Sequence, residues 1–141
     1  MVINISALKS GDHAYVARDI AGVVEIAARY GVPVKAILET CLLTDEEKVK
    51  ACQLAEAAGA AFVKTSTATQ PGGATVEDLR LMRASVGPGV VVKASGYVTD
   101  IEKTLAFYEA GARRFGTGYT VPILEGLRAK LARYEAAGTG R

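Results

Sequence analysis

Val34-Lys35-Ala36-Ile37-Leu38, Phe62-Val63-Lys64-Thr65 and Val90-Val91-Val92-Lys93-Ala94 are three versions of one phrase, an apolar strand-like run that carries a lysine. The lysines recur at a constant interval of 29 residues. Each run is followed by a threonine-led acidic segment and then by a glycine. An interval near 30 residues is the length of one strand–helix unit.

The segments between the runs carry helix signals. Thr44-Asp45-Glu46-Glu47 and Thr99-Asp100-Ile101-Glu102 have the form of capping boxes, in which the hydroxyl accepts from an amide of the first turn and the glutamate reaches back. Thr75-Val76-Glu77-Asp78 is a shorter-armed version. Gly59, Gly87 and Gly111 stand where a left-handed residue would stop each helix. Between cap and stop the apolar residues fall on one stripe, as in Val49, Cys52, Leu54 and Ala55, or Leu79, Leu81, Met82 and Val86.

Two partial units flank these three. Residues 2–5 read as a strand, followed by a helix over about 13–30. Arg114-Phe115-Gly116-Thr117 reads as a last short strand, followed by a helix over about 122–134, and residues 135–141 are expected to fray. Five strands alternating strictly with five helices predict an α/β fold with a parallel sheet and right-handed crossovers.

Alternation alone fits a doubly wound sheet or a (β/α)8 barrel. In the first, helices cover both faces, and a mid-strand lysine would be buried without a partner at several kcal/mol. In the second, alternate side chains point inward toward a solvated mouth. Lys35, Lys64 and Lys93 are expected at equivalent heights, converging on one axis, with Val63, Val92 and Ala94 turned toward the helices. The reading is therefore a partial TIM (β/α)8 barrel in one domain over residues 1–141. A complete barrel takes roughly 250 residues and eight strands; five are present here.

Composition narrows the function classes. Half the residues are hydrophobic and the net charge is only +2, with basic and acidic residues mixed along the presumptive helices. That gives no electrostatic case for nucleic acid or an anionic membrane. No apolar run reaches the roughly 18 residues of a membrane helix. Met1-Val2-Ile3-Asn4-Ile5 lacks the basic stretch and cleavage site of a secretory signal. Cys41 and Cys52 have no metal-ligand spacing; reduced thiols and a cytoplasmic location are expected.

A lone lysine at the end of a strand ordinarily snorkels to solvent. Three at one interval inside apolar strands suggest a shared site. Amine attack on a carbonyl needs a lysine that is neutral, whereas a free one with a pKa of about 10.4 is protonated. A second ammonium nearby and apolar burial both disfavour the charged form. Lys64 beside Lys93 meets that requirement on adjacent strands. Glu39 sits on the inward parity, where its carboxylate either serves the mouth or pairs with Lys35 or Lys64. Cys41 reads as a packed thiol and His13 as a solvated loop residue.

Phe62-Val63-Lys64-Thr65-Ser66-Thr67 is similar to the Schiff-base strand of deoxyribose-phosphate aldolases, and Val92-Lys93-Ala94-Ser95-Gly96 to that family's second lysine strand. Val34-Lys35-Ala36-Ile37-Leu38-Glu39-Thr40 resembles the strand before them. Residues 2–11 resemble the fourth barrel strand and its loop, and Gly72-Gly73-Ala74-Thr75-Val76-Glu77-Asp78 is again family-like. The resemblance runs in order to about residue 126. It places the five units at barrel strands 4–8.

The resemblance implies a class I aldolase, a lyase that reversibly cleaves 2-deoxyribose 5-phosphate to glyceraldehyde 3-phosphate and acetaldehyde in deoxyribonucleotide catabolism. Lys64 would form the imine, and Lys93 would lower its pKa and move protons. Lys35, Thr67, Gly96, Gly116 and Gly118 would bind substrate. No metal or organic cofactor is implied. The family's proton-relay aspartate precedes the Met-Val-Ile-Asn segment with which this chain begins. The family also has glycine after Thr67, a second glycine after Gly96 and a serine pair after Thr117, where this chain has Ala68, Tyr97 and Gly118-Tyr119. Two expectations follow: an aldolase completed by self-association or by a companion N-terminal chain, or a truncated half-barrel that is a remnant or an assembly partner without competent chemistry. Neither involves nucleic acid or a membrane.

Overall fold

The computed structural model describes residues 1–138 and consists of parallel strands joined by helical crossovers. The strands are β1 (Lys35–Ile37), β2 (Phe62–Lys64), β3 (Val91–Ser95) and β4 (Arg114–Gly116), paired in sequence order in one sheet. The helices are α1 (Ile5–Lys9), α2 (His13–Ala28), α3 (Asp45–Ala57), α4 (Val76–Ala84), α5 (Ile101–Glu109) and α6 (Thr120–Gly138), with one 3₁₀ turn at Thr40–Leu42.

The fifth strand expected at residues 2–5 is reduced to a single parallel bridge between Val2 and Ile37. Its hydrogen bonds are Ile3 N to Ile37 O at 3.0 Å and Ile37 N to Met1 O at 2.9 Å. Asn4 cuts it short: its side chain accepts from the Ala7 amide at 2.9 Å and caps α1. A short polar side chain that satisfies a helix's free amides starts the helix there.

The caps at Thr44 and Thr75 are as expected. Thr44 and Glu47 form a reciprocal box, with Glu47 N donating to the hydroxyl at 3.3 Å and Thr44 N donating to the carboxylate at 2.8 Å. At α5 the cap lies one residue later than expected. Asp100 accepts from Lys103 N at 2.8 Å, and Thr99 donates to Asp100 instead of capping. Gly59 and Gly111 take positive φ, 84° and 109°, at helix ends. Gly87 does not; its amide donates to the Glu56 carboxylate at 2.8 Å. Of the segment expected to fray, residues 135–138 continue α6, and residues 139–141 lie outside the described residues.

The two faces of the sheet differ. Ala36, Val63, Val92 and Ala94 are fully buried and join the core with Ile20, Leu79, Met82 and Phe107. The alternate residues Lys35, Ile37, Phe62, Lys64, Val91 and Lys93 are only half-buried, and Arg114 is exposed. A sheet covered by helices on one face and bare on the other is a barrel segment, not a doubly wound sheet. Between α3 and α4, the largely buried Lys48 bridges Asp78 at 2.7 Å and Asp45 at 2.9 Å. None of the described helices is long and apolar enough to cross a membrane.

Candidate active site

Parallel pairing decides which side chains meet on the bare face. Lys64 is the register partner of Lys93, with Ile37 on one side of the pair and Arg114 on the other. Adjacent strands lie about 4.8 Å apart, so the two lysines rise side by side. Lys35 does not share their height. Its register partner is Phe62, two residues before Lys64, which sets it one inward layer deeper. Equal spacing along the chain therefore does not bring the three lysines to one level, because β1 and β2 are staggered by two residues.

Phe62 floors the cluster. Lys35 Nζ lies 5.4 Å and Arg114 Cζ 5.3 Å from its ring centroid, within the range of cation–π attraction. The bare face thus gathers four cations, Lys35, Lys64, Lys93 and Arg114, and none of the salt bridges among the described residues involves them. Burial, followed by the charges of Lys35, Lys64 and Arg114, holds the Lys93 pKa below the ordinary lysine value. Burial, then Arg114 and Lys64, does the same to Lys35. Desolvation and like charge both penalise the ammonium form. Arg114 was not among the residues predicted for the site. Its shared parity with Gly116 is the one sequence signal that would have found it.

Above the lysines the strands turn into loops. Thr65 ties two of them, donating to Ser95 O at 2.9 Å and accepting from Ser95 N at 3.0 Å. Glu39 takes neither of its two expected roles. It is buried, and its carboxylate accepts from Thr67 N at 3.1 and 3.2 Å and from the Thr67 hydroxyl. Thr67, predicted to touch substrate, is thereby turned toward Glu39 and Thr69.

Gly96, Gly116 and Gly118 come together in the lining of a cavity of about 310 Å³, with Ala68, Tyr97 and Tyr119. Gly116 joins this cavity to the lysines. A Cβ there would stand 2.8 Å from Ser95 Oγ and 3.2 Å from Lys93 Cε. Gly96, at φ 84°, packs against Gly73, where a Cβ would meet the Gly73 Cα at 2.7 Å. Ala68 and Tyr97, which stand where glycine was expected, both have positive φ, 68° and 61°. Without a Cβ penalty glycine takes that conformation readily, which gives the expected glycines a backbone reason. The Tyr97 ring lies over Gly73 and 5.7 Å from Lys103 Nζ.

His13, expected in a loop, is the first residue of α2. Cys41 and Cys52 are free thiols; Cys52 is buried, whereas Cys41, expected to be packed, is exposed because it lies in the 3₁₀ turn outside the core.

No protein-family model matches the chain. It is 60% identical over 128 residues to a deoxyribose-phosphate aldolase of Thermococcus gammatolerans, covering 91% of this chain and 57% of that protein. It is 63% identical over 126 residues to one of Streptococcus sanguinis, covering 89% and 56%. Among solved structures, a putative deoxyribose-phosphate aldolase from Coccidioides immitis superposes with a TM-score of 0.86 at 37% identity, over 91% of this chain and 51% of that one. A tetrameric deoxyribose phosphate aldolase from Aeropyrum pernix gives 0.77 at 32% identity, over 82% and 50%. The chain spans a little over half the length of the curated relatives it matches.

Proposed function

The chain belongs to the deoxyribose-phosphate aldolase family, and on that footing we propose that it carries the imine-forming half of such an aldolase, with Lys64 as the nucleophile and Lys93 as its proton-transfer partner. The observation that carries this reading is the register pairing of Lys64 with Lys93 on the bare face of the sheet, next to a cavity of about 310 Å³.

In the cleavage direction the substrate is the open-chain aldehyde of 2-deoxyribose 5-phosphate. The neutral Lys64 amine adds to C1, and loss of water leaves a protonated imine. Removal of the C3 hydroxyl proton then breaks the C2–C3 bond, and its electron pair moves into the imine to form an enamine. Glyceraldehyde 3-phosphate departs. Protonation of the enamine carbon and hydrolysis release acetaldehyde and restore the amine. Lys93, whose pKa burial and the neighbouring cations lower from the ordinary lysine value, is the proton-transfer candidate beside it. No metal or organic cofactor takes part.

The cavity beside Gly96, Gly116 and Gly118 is the candidate phosphate end, since close backbone approach there presents amides to an anion. Lys35 lies below as a further cation. The bare sheet face, with Val2 and β4 at its edges, fits completion by further strands from another copy or a companion chain. The uncovered face also supports a second reading, in which the chain is an assembly partner that lacks competent chemistry by itself.

Mass spectrometry after acetaldehyde and borohydride tests the proposal. The expected result is a stable two-carbon adduct on Lys64. An adduct confined to other lysines overturns the assignment, and none in a folded sample favours the assembly-partner reading.

A further inference from the structure

We propose that Arg114, held on the ring of Phe62 and set beside Lys93 by the β3–β4 register, is a positioning residue that keeps a permanent positive charge against Lys93. The inference rests on the reading of Lys64 and Lys93 as the imine site.

The geometry is unusual for an arginine on an edge strand. Arg114 starts on β4, yet its guanidinium reaches the ring of Phe62 on β2, two strands away, at 5.3 Å. Between them, the two side chains span the inner surface of β3. Phe62 lies in the layer below Lys64, whereas Arg114 shares the layer of Lys93, so the contact links the two layers. A flat guanidinium stacks well on an aromatic face, and Lys35 occupies the same ring at 5.4 Å.

The charges facing Lys93 are Lys64 from β2, Lys35 from β1 and Arg114 from β4, with no carboxylate among the groups acting on it. Like charges gathered on one face disfavour the protonated form of Lys93 and Lys35. Arginine does not give up its proton. The guanidinium thus fixes one charge, and the lowering falls on the lysines. A lysine at 114 would do this less well, because it could itself deprotonate. Arg114 is exposed, so water and salt screen its influence.

The test is an NMR titration of the Lys93 Cε resonance, assigned through its loss in Lys93→Met. In Arg114→Gln the Lys93 midpoint should rise by about half a pH unit at low salt, with the gap from wild type closing as salt is added. Arg114→Lys should restore most of the shift, and Phe62→Leu, which removes the ring, should reproduce part of the loss. A Lys93 midpoint unmoved in a folded Arg114→Gln protein overturns the proposal. Should that variant not fold, an unmoved midpoint in Phe62→Leu does the same. Failed trapping at Lys64 would instead overturn the imine reading, and it leaves the Lys93 titration free to answer the question about Arg114.

Discussion

Glu39 and Thr67 lock the loop that follows the Lys64 strand: the buried carboxylate accepts both the amide and the hydroxyl of Thr67. Glu39 itself sits at φ 57°, a left-handed conformation uncommon for a residue with a side chain. Replacing it by glutamine preserves shape but turns an amide donor toward groups that also donate. Glu39→Gln should lose about 1–3 kcal/mol in urea unfolding and slow borohydride trapping at Lys64. An unchanged midpoint would show that the loop holds without the carboxylate.

Ala68 stands at φ 68° with an exposed side chain. Ala68→Gly should raise stability by about 1 kcal/mol, since the left-handed region penalises a Cβ by that order. Tyr97→Gly relieves the same strain but gives up the ring's contacts with Gly73 and Lys103, so its gain should be smaller. Denaturant midpoints of the two variants, measured side by side, check the ranking.

Gly116→Ala places a methyl 2.8 Å from Ser95 Oγ and 3.2 Å from Lys93 Cε. The Ser95 hydroxyl must shift and Lys93 must give slightly, and overpacking of this kind typically costs about 1–3 kcal/mol. Trapping at Lys64 should fall by more than stability alone explains. Wild-type trapping in this variant would mean that the Lys93 position is not critical.

Alkali should unfold the protein in part through Cys52, whose thiol is pushed up to about 12 by burial and by Glu56, against a lowering by Arg83. The folded state holds this proton more tightly than the unfolded state does. The stability it confers is complete below pH 9 and declines as pH rises toward 12. Lys48 adds to the decline. Burial works against its charge, but the hydrogen bonds and charges of Asp78 and Asp45 prevail and raise its pKa, so its contribution is lost above the ordinary lysine range. In Cys52→Ala the slope of stability against pH between 9 and 12 should be shallower than in wild type. Equal slopes would assign the alkaline transition to other groups.

Much of this architecture is legible along the chain because strand–helix units write themselves locally. The interval from Lys35 to Lys64 to Lys93, the box at Thr44 and the alternation around Val63 and Val92 all depend on near neighbours. What the chain conceals is what depends on register. Lys35 lies a layer below Lys64 because spacing measures contour length and not height. Arg114 joins the site through its contact with Phe62 two strands away, which no local pattern reports. The Asn4 cap, which ends the first strand, competes with a β-branched run, and only the folded chain shows which prevails. Glu39 had two plausible cationic partners in sequence and took neither, since the Thr67 amide and hydroxyl lay nearer.

The strictly sequential order of the sheet bears on how the chain folds. Every strand finds its partner one unit along, so each new pairing closes a loop of a single strand–helix unit and waits for nothing at the far end of the polypeptide. A parallel pairing is still slower to form than a hairpin, because a whole crossover must come first. A chain emerging from the ribosome can nonetheless add one βα unit after another, with β1 and β2 already joined before β4 has been synthesised.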